Sequence, residues 1–118
     1  MDFNGLTEGA TLYLPVSNPG ALLYLGDGHA LQGDGELNGN ALETSMDVEI
    51  AVDVVHGKQP PSPRVESSDT IKAMGLSGSL DDALKVATSN MSEWLEKDYH
   101  LTPSEIAQSA EALCFSTP

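Results

Sequence analysis

Basic residues are scarce in this chain of 118 amino acids. Five Lys and Arg stand against 18 Asp and Glu, and the formal net charge at pH 7 is −13. A field of this sign repels phosphate backbones and anionic lipid headgroups, so composition argues against nucleic-acid and membrane partners. The excess of carboxylates is compatible with cation binding, although solubility accounts for most of them.

Cysteine and long apolar runs are also scarce. The single cysteine, Cys114, cannot form an intrachain disulfide, and we expect a buried or incidental thiol rather than a nucleophile. No apolar run approaches the ~18 residues that span a bilayer. Residues 1–5 lack the basic start and apolar run of a signal peptide, so we expect a cytoplasmic protein.

Hydrophobic residues make up 40% of the chain, which is enough for one folded domain over residues 1–118. The sequence pattern predicts β-structure over residues 1–57. It predicts a connection over residues 58–78, which begins with a stretch rich in Pro and Ser, and helices over residues 79–118. The clearest strand has apolar side chains at even positions and mostly acidic ones at odd positions: Leu42, Met46, Val48, Ile50, Val52 and Val54 against Glu43, Ser45, Asp47, Glu49 and Asp53. This period of two predicts an antiparallel sheet with one solvated face, as in a sandwich or barrel.

Shorter strands are predicted at residues 11–14 and 21–25, on either side of an Asn-Pro-Gly turn. The fold class we expect is therefore mainly β with C-terminal helices, an α+β protein in which the helices pack on the sheet.

Two C-terminal helices are predicted, over residues 79–98 and 103–113. Ser79 and Asp82 have the spacing of a capping box at the first, and Thr102 begins the second with Pro and Glu at the appropriate positions after it. One side of the first helix carries an apolar stripe that we expect to face the core: Leu80, Leu84, Ala87, Met91, Trp94 and Leu95.

The segment that points to chemistry is residues 26–36, which holds three carboxylates and one imidazole separated by glycines. Asp27 and His29 are two residues apart and share a face in extended structure, and Asp34 and Glu36 repeat that spacing. Carboxylates packed so densely repel one another unless a cation lies among them. Mixed oxygen and nitrogen ligands favour zinc or another first-row metal over magnesium.

A metal held in this segment lowers the pKa of a bound water and polarises an amide carbonyl, while a free carboxylate serves as general base. The competing interpretation is a plain surface loop, because Gly- and Asp-rich stretches between strands are usually loops and no standard zinc signature has this form. His56 and His100 stand alone in the sequence, and we expect them on the surface.

The run from Gly26 to Glu36, continued by Gly39, Ala41 and Glu43, resembles the G-D-x-H-A-x-Q-G-D-G-E…G…E signature of the acetamidase/formamidase family. The resemblance extends over roughly residues 1–108, but members of that family are usually much longer. We therefore expect the C-terminal part of an amidase, with an incomplete active site. The final residues, 109–118, do not resemble the usual family ending.

This resemblance implies hydrolysis of small linear amides such as formamide and acetamide to the acid and ammonia, by a homo-oligomer with a β-rich fold. It implies a divalent metal, with zinc favoured. The site residues it implies are metal ligands at Asp27, His29, Asp34 and Glu36, catalytic carboxylates at Glu36 and Glu43, and substrate binding by Gln32.

Two other functions compete with the amidase hypothesis. The first is a non-catalytic module that binds a cation, or assembles with a partner, through its acidic surface. The second is a nucleic-acid reader built on the helix start at residues 101–107, which the acidic charge disfavours.

Overall fold

The computed structural model describes residues 3–36 and 39–111. In chain order the elements are β1 (Thr11–Tyr13), β2 (His29–Leu31), β3 (Leu42–Glu43), β4 (Arg64–Glu66), β5 (Ile71–Ala73), α1 (Leu80–Tyr99) and α2 (Pro103–Glu111). Two antiparallel sheets followed by two helices confirm the predicted α+β class. Cys114 lies outside the described residues, as does most of the divergent ending.

The larger sheet has the strand order β1-β4-β5, and every pairing in it is antiparallel. Val65 is the centre of this sheet, since it pairs with Leu12 on one side and with Lys72 on the other. A tight turn joins β4 to β5, in which Ser67 N donates to Thr70 O at 2.8 Å. The central strand is consequently the most deeply buried of the three.

Helix α1 packs on this sheet and forms the core with it. Met91, Trp94 and Leu95 are buried there, as the apolar stripe predicts, and Tyr13 meets Trp94 edge to face at 5.8 Å between ring centroids. Leu80, at the start of the same stripe, is 68% exposed. Only the second half of the stripe therefore faces the sheet.

Two buried polar residues, Arg64 in β4 and Asn90 in α1, link the strand to the helix by hydrogen bonds. Arg64 Nε donates to Asn90 Oδ1 at 2.6 Å, and Arg64 Nη2 donates to the backbone oxygen of Asn90 at 3.0 Å. The guanidinium also lies over the ring of Trp94, 5.1 Å from its centroid. Burial lowers the pKa of Arg64, and the hydrogen bonds to Asn90 compensate for the water that the guanidinium loses.

The helix termini follow the predicted capping signals. Ser79 accepts from Asp82 N and begins α1, while His100 adopts the left-handed conformation (φ 58°) that ends it. Thr102 N donates to Glu105 Oε2 at 2.8 Å at the start of α2. The observed bounds differ from those predicted by a residue at α1, and residues 112–113 lie outside the described part of the chain. No helix among the described residues is both long and apolar enough to cross a bilayer.

The β-structure differs from the prediction in its extent. Of the strand expected over residues 42–54, only Leu42–Glu43 is paired, and no described backbone-to-backbone hydrogen bond involves residues 45–53. Val52 is 69% exposed, and Tyr24 in the expected strand 21–25 is 82% exposed. Alternating apolar and polar side chains suit a segment to a sheet with one buried face. The segment forms a strand only where a neighbouring strand pairs with it and an apolar layer covers that face.

Residues 58–78 also differ from the prediction, because this expected connection contains both β4 and β5. Each strand is only three residues long, too short for a period of two to stand out in the sequence. Pairing with β1 makes β4 the middle of the sheet, and β5 forms its edge beside α1. Closure of the two sheets into a sandwich or barrel stays a prediction.

Candidate metal centre

The smaller sheet positions the first part of the site. Strands β2 and β3 pair antiparallel, with His29 opposite Glu43 and Leu31 opposite Leu42, and the register shifts between these two pairs. Thr44 N donates to Gly28 O at 2.9 Å and extends the pairing by one step. Strand pairing thus brings Glu43 beside His29 although a long loop separates them in sequence.

The turn before β2 positions Asp27. This residue has a φ of 68°, in the left-handed region that Asp tolerates better than most side chains. At Gly28, a Cβ atom would lie 2.9 Å from Met46 Cε and 3.0 Å from Thr44 O, so glycine is needed for this close approach. The turn directs the Asp27 carboxylate back toward the ring of His29.

Asp27, His29 and Glu43 form a cluster in which one ligand atom from each lies within 4.8 Å of the others. His29 Nε2 is 3.2 Å from Asp27 Oδ1 and 3.5 Å from Glu43 Oε1. The His29 side chain is 10% exposed, whereas those of Asp27 and Glu43 are 62% and 59% exposed. The cluster therefore has a buried nitrogen at its base and two carboxylates open to solvent.

These distances fit a divalent cation. With metal–ligand bonds of about 2.1 Å, the ligand atoms of a tetrahedral site stand about 3.4 Å apart. The two separations from His29 Nε2 are close to this value, and the two carboxylate oxygens lie within 4.8 Å of each other. One imidazole and two carboxylates supply nitrogen and oxygen donors of the kind that first-row metals accept. The donor types and their spacing make this cluster a candidate site for a divalent cation.

The other ring nitrogen of His29 is engaged by Gln32. Nδ1 lies 2.6 Å from Gln32 Oε1. This hydrogen bond raises the pKa of His29 above its ordinary value, burial opposes the rise, and the carboxylates of Asp27 and Glu43 add to it. Gln32 Nε2 is buried and has no hydrogen-bond partner among the described residues.

The remaining predicted ligands, Asp34 and Glu36, do not join this cluster. Asp34 Oδ1 accepts from Asn4 Nδ2 at 3.3 Å, and Glu36 Oε1 accepts from Ala41 N at 3.0 Å. Both carboxylates follow β2, in the loop that leads to β3. In the described part of the chain, the three-residue cluster is the one group of His, Cys, Asp and Glu with metal-binding spacing.

The sequence singled out Glu43 as a catalytic carboxylate, and the structure adds that it faces His29. Only the family resemblance pointed to Glu43 as a site residue, since Glu43 and His29 lie fourteen positions apart in the sequence. His56 lies at an exposed turn and His100 at the end of α1, and neither belongs to the cluster. Two surface depressions lie elsewhere, one beside residues 67–72 and the other beside residues 75–83.

Comparison with known proteins gives one match. The model of the acetamidase/formamidase family matches residues 1–94, a span that includes the whole cluster, both sheets and most of α1. No curated protein and no solved structure matches the chain.

Proposed function

Because the chain belongs to the acetamidase/formamidase family, we propose that it serves metal-dependent hydrolysis of small linear amides, of the formamide and acetamide type, to carboxylic acid and ammonia. We propose further that additional polypeptide of the same enzyme completes its active site. The observation that carries the proposal is the cluster of Asp27, His29 and Glu43 inside the matched span.

In this proposal Asp27, His29 and Glu43 hold a divalent cation, zinc first. When bound, that cation supplies the positive charge that polarises an amide carbonyl and acidifies water. The residues of the chain orient the reactants around it. His29 enters from the buried side, so the open side between the two exposed carboxylates is left for the substrate.

Glu36 is the proposed general base. Its Oε1 accepts from Ala41 N at 3.0 Å, outside the cluster, so its role as the base that takes a proton from water and delivers it to the leaving amine stays a prediction of the sequence. Metal ligation by Asp34 and substrate binding by Gln32 stay predictions of the sequence.

Exposed apolar side chains support the proposal that the site is completed by further strands. Residues 22–25 and 46–54 lie outside the paired strands, are largely exposed and are rich in Leu, Val and Ile. Patches of this kind mark surfaces that another chain segment covers, and unpaired backbone groups accept an added strand. Strands of the same amidase would cover these residues and enclose the substrate above the cluster. Homo-oligomerisation and a cytoplasmic location stay predictions.

Metal content tests the proposal. The purified chain is expected to bind about one zinc per molecule by mass spectrometry of the metal, and an Asp27→Ala/His29→Ala double variant is expected to bind none. The matched control is Asp47→Ala/His56→Ala, which removes the same two side-chain types from exposed positions outside the cluster. Equal zinc content in the two double variants would contradict the assigned ligands.

Ammonia release then separates the amidase from its rival. Zinc-loaded enzyme with the complete polypeptide is expected to release ammonia from formamide or acetamide, and the Asp27→Ala/His29→Ala variant is expected not to. Zinc binding without ammonia release from any short amide would favour the non-catalytic cation-binding module instead.

A further inference from the structure

We propose that Gln32 is a positioning residue that fixes the tautomer of His29. In this assignment the proton of the neutral ring is on Nδ1, and the lone pair of Nε2 faces Asp27 and Glu43. The inference rests on the proposed function, because the tautomer matters for a cation bound at that cluster.

The contact between Gln32 and His29 determines the proton position. Gln32 Oε1 and Asp27 Oδ1 both only accept hydrogen bonds, and the separation of Nδ1 from Gln32 Oε1 (2.6 Å) is shorter than that of Nε2 from Asp27 Oδ1 (3.2 Å), so the single proton of the neutral ring is assigned to Nδ1. A neutral imidazole has one donor and one acceptor nitrogen, and Nε2 is therefore the acceptor. Because the His29 side chain is 10% exposed, water competes little for Nδ1.

This tautomer places three acceptors face to face. The Nε2 lone pair lies 3.2 Å from an oxygen of Asp27 and 3.5 Å from an oxygen of Glu43. Three such atoms repel one another by themselves and attract a cation together. Histidine ligands of metals commonly donate their other ring N–H to an oxygen acceptor, and this is the role that Gln32 has here.

The amide nitrogen of Gln32 indicates that the contact between Gln32 and His29 does not serve to stabilise the fold. Its Nε2 atom is buried and lacks a partner among the described residues. A buried donor without an acceptor is unfavourable, and an apolar side chain at this position would avoid that cost. The feature that only a side chain with an oxygen acceptor provides is the hydrogen bond to Nδ1.

Three variants test the role of the oxygen. Gln32→Met has a similar length and no strong acceptor, Gln32→Asn keeps the amide but is one methylene shorter, and Gln32→Glu keeps an acceptor in place. Gln108→Met, on the exposed side of α2, is the matched control. The asparagine variant keeps the test valid if the methionine variant fails to fold.

The first readout is the tautomer in the metal-free chain. Two-dimensional ¹⁵N–¹H spectra of the imidazole rings, recorded at a pH where His29 is neutral, distinguish Nδ1–H from Nε2–H. Wild type, Gln32→Glu and Gln108→Met are expected to have Nδ1–H at His29, and Gln32→Met and Gln32→Asn are expected to shift toward Nε2–H. Nε2–H in the wild type, or an unchanged tautomer in both truncating variants, would overturn the inference.

The second readout is zinc affinity measured by competition with a chelating dye. Loss of an outer hydrogen bond typically weakens binding about 10–100-fold, so Gln32→Met and Gln32→Asn are expected to fall in that range while Gln32→Glu equals or exceeds the wild type. Wild-type zinc affinity in both truncating variants would overturn the role of Gln32. The predicted tautomer, combined with no ammonia release from any short amide by the zinc-loaded enzyme with the complete polypeptide, would support the assignment and refute the proposed function.

Discussion

Removal of the Asn90 side chain should loosen the contact between α1 and the larger sheet. Asn90 is 1% exposed, and its Oδ1 accepts from Arg64 Nε at 2.6 Å while its Nδ2 donates to Ser62 O at 3.3 Å. In Asn90→Ala the backbone oxygen of residue 90 still accepts from Arg64 Nη2. The Nε donor, which stays buried with its positive charge, loses its acceptor.

The magnitude follows from these bonds. A hydrogen bond to a charged group contributes about 1.5–3 kcal/mol, and leaving a carbonyl such as Ser62 O without its partner adds about 1 kcal/mol. Because the bond to Ser62 is long, we expect a total loss of about 3 kcal/mol in the free energy of unfolding. That is a large fraction of the roughly 5–15 kcal/mol that stabilises an ordinary domain.

Urea unfolding followed by tryptophan fluorescence measures this loss. Trp94 is the single tryptophan, it is buried, and the Arg64 guanidinium lies over its ring, so its emission reports on the contact itself. The control is Asn18→Ala, at an exposed turn, with an expected change below about 0.5 kcal/mol. A loss below about 1 kcal/mol in Asn90→Ala would refute the reasoning, since it would mean that Arg64 finds another acceptor or water.

Two further predictions concern the same core. Gly75→Ala should lower the free energy of unfolding by about 3 kcal/mol or more, because its Cβ would clash with the backbone carbonyl of Ala83 and lie 2.8 Å from Ala87 N in α1. A Cβ at Gly78 meets nothing within 4 Å, so equal thermal midpoints for Gly75→Ala and Gly78→Ala would contradict this packing. The hydrogen bond from Tyr13 to Glu66 (2.8 Å) raises the pKa of Tyr13 from 10.0 to about 12, so its contribution to stability is present below pH 10 and is lost as the pH rises toward 12. Tyr13→Phe should lack this alkaline loss in urea titrations at pH 9 to 12, and an identical slope in both proteins would contradict it.

The helices could be predicted nearly to the residue because their signals are local. Ser79 and Thr102 cap helices through contacts with residues three positions later, and such contacts form without help from the rest of the fold. The strands could not be predicted in the same way. Residues 45–53 have the strongest alternation in the chain and stay unpaired, while the short β4 forms the centre of a sheet because β1 and β5 pair with it on either side.

The sequence by itself determined that Asp27 and His29 are near each other, although the left-handed turn at Asp27 (φ 68°), rather than the extended backbone that their spacing suggested, directs the carboxylate to the ring. Only the tertiary structure decided which third carboxylate joins them. Pairing of β2 with β3 brings Glu43 to His29, whereas Asp34 and Glu36, closer in sequence, are turned toward Asn4 and the Ala41 amide. The physical reason is that strand register fixes neighbours across a sheet, and register depends on contacts between distant segments that sequence spacing does not contain.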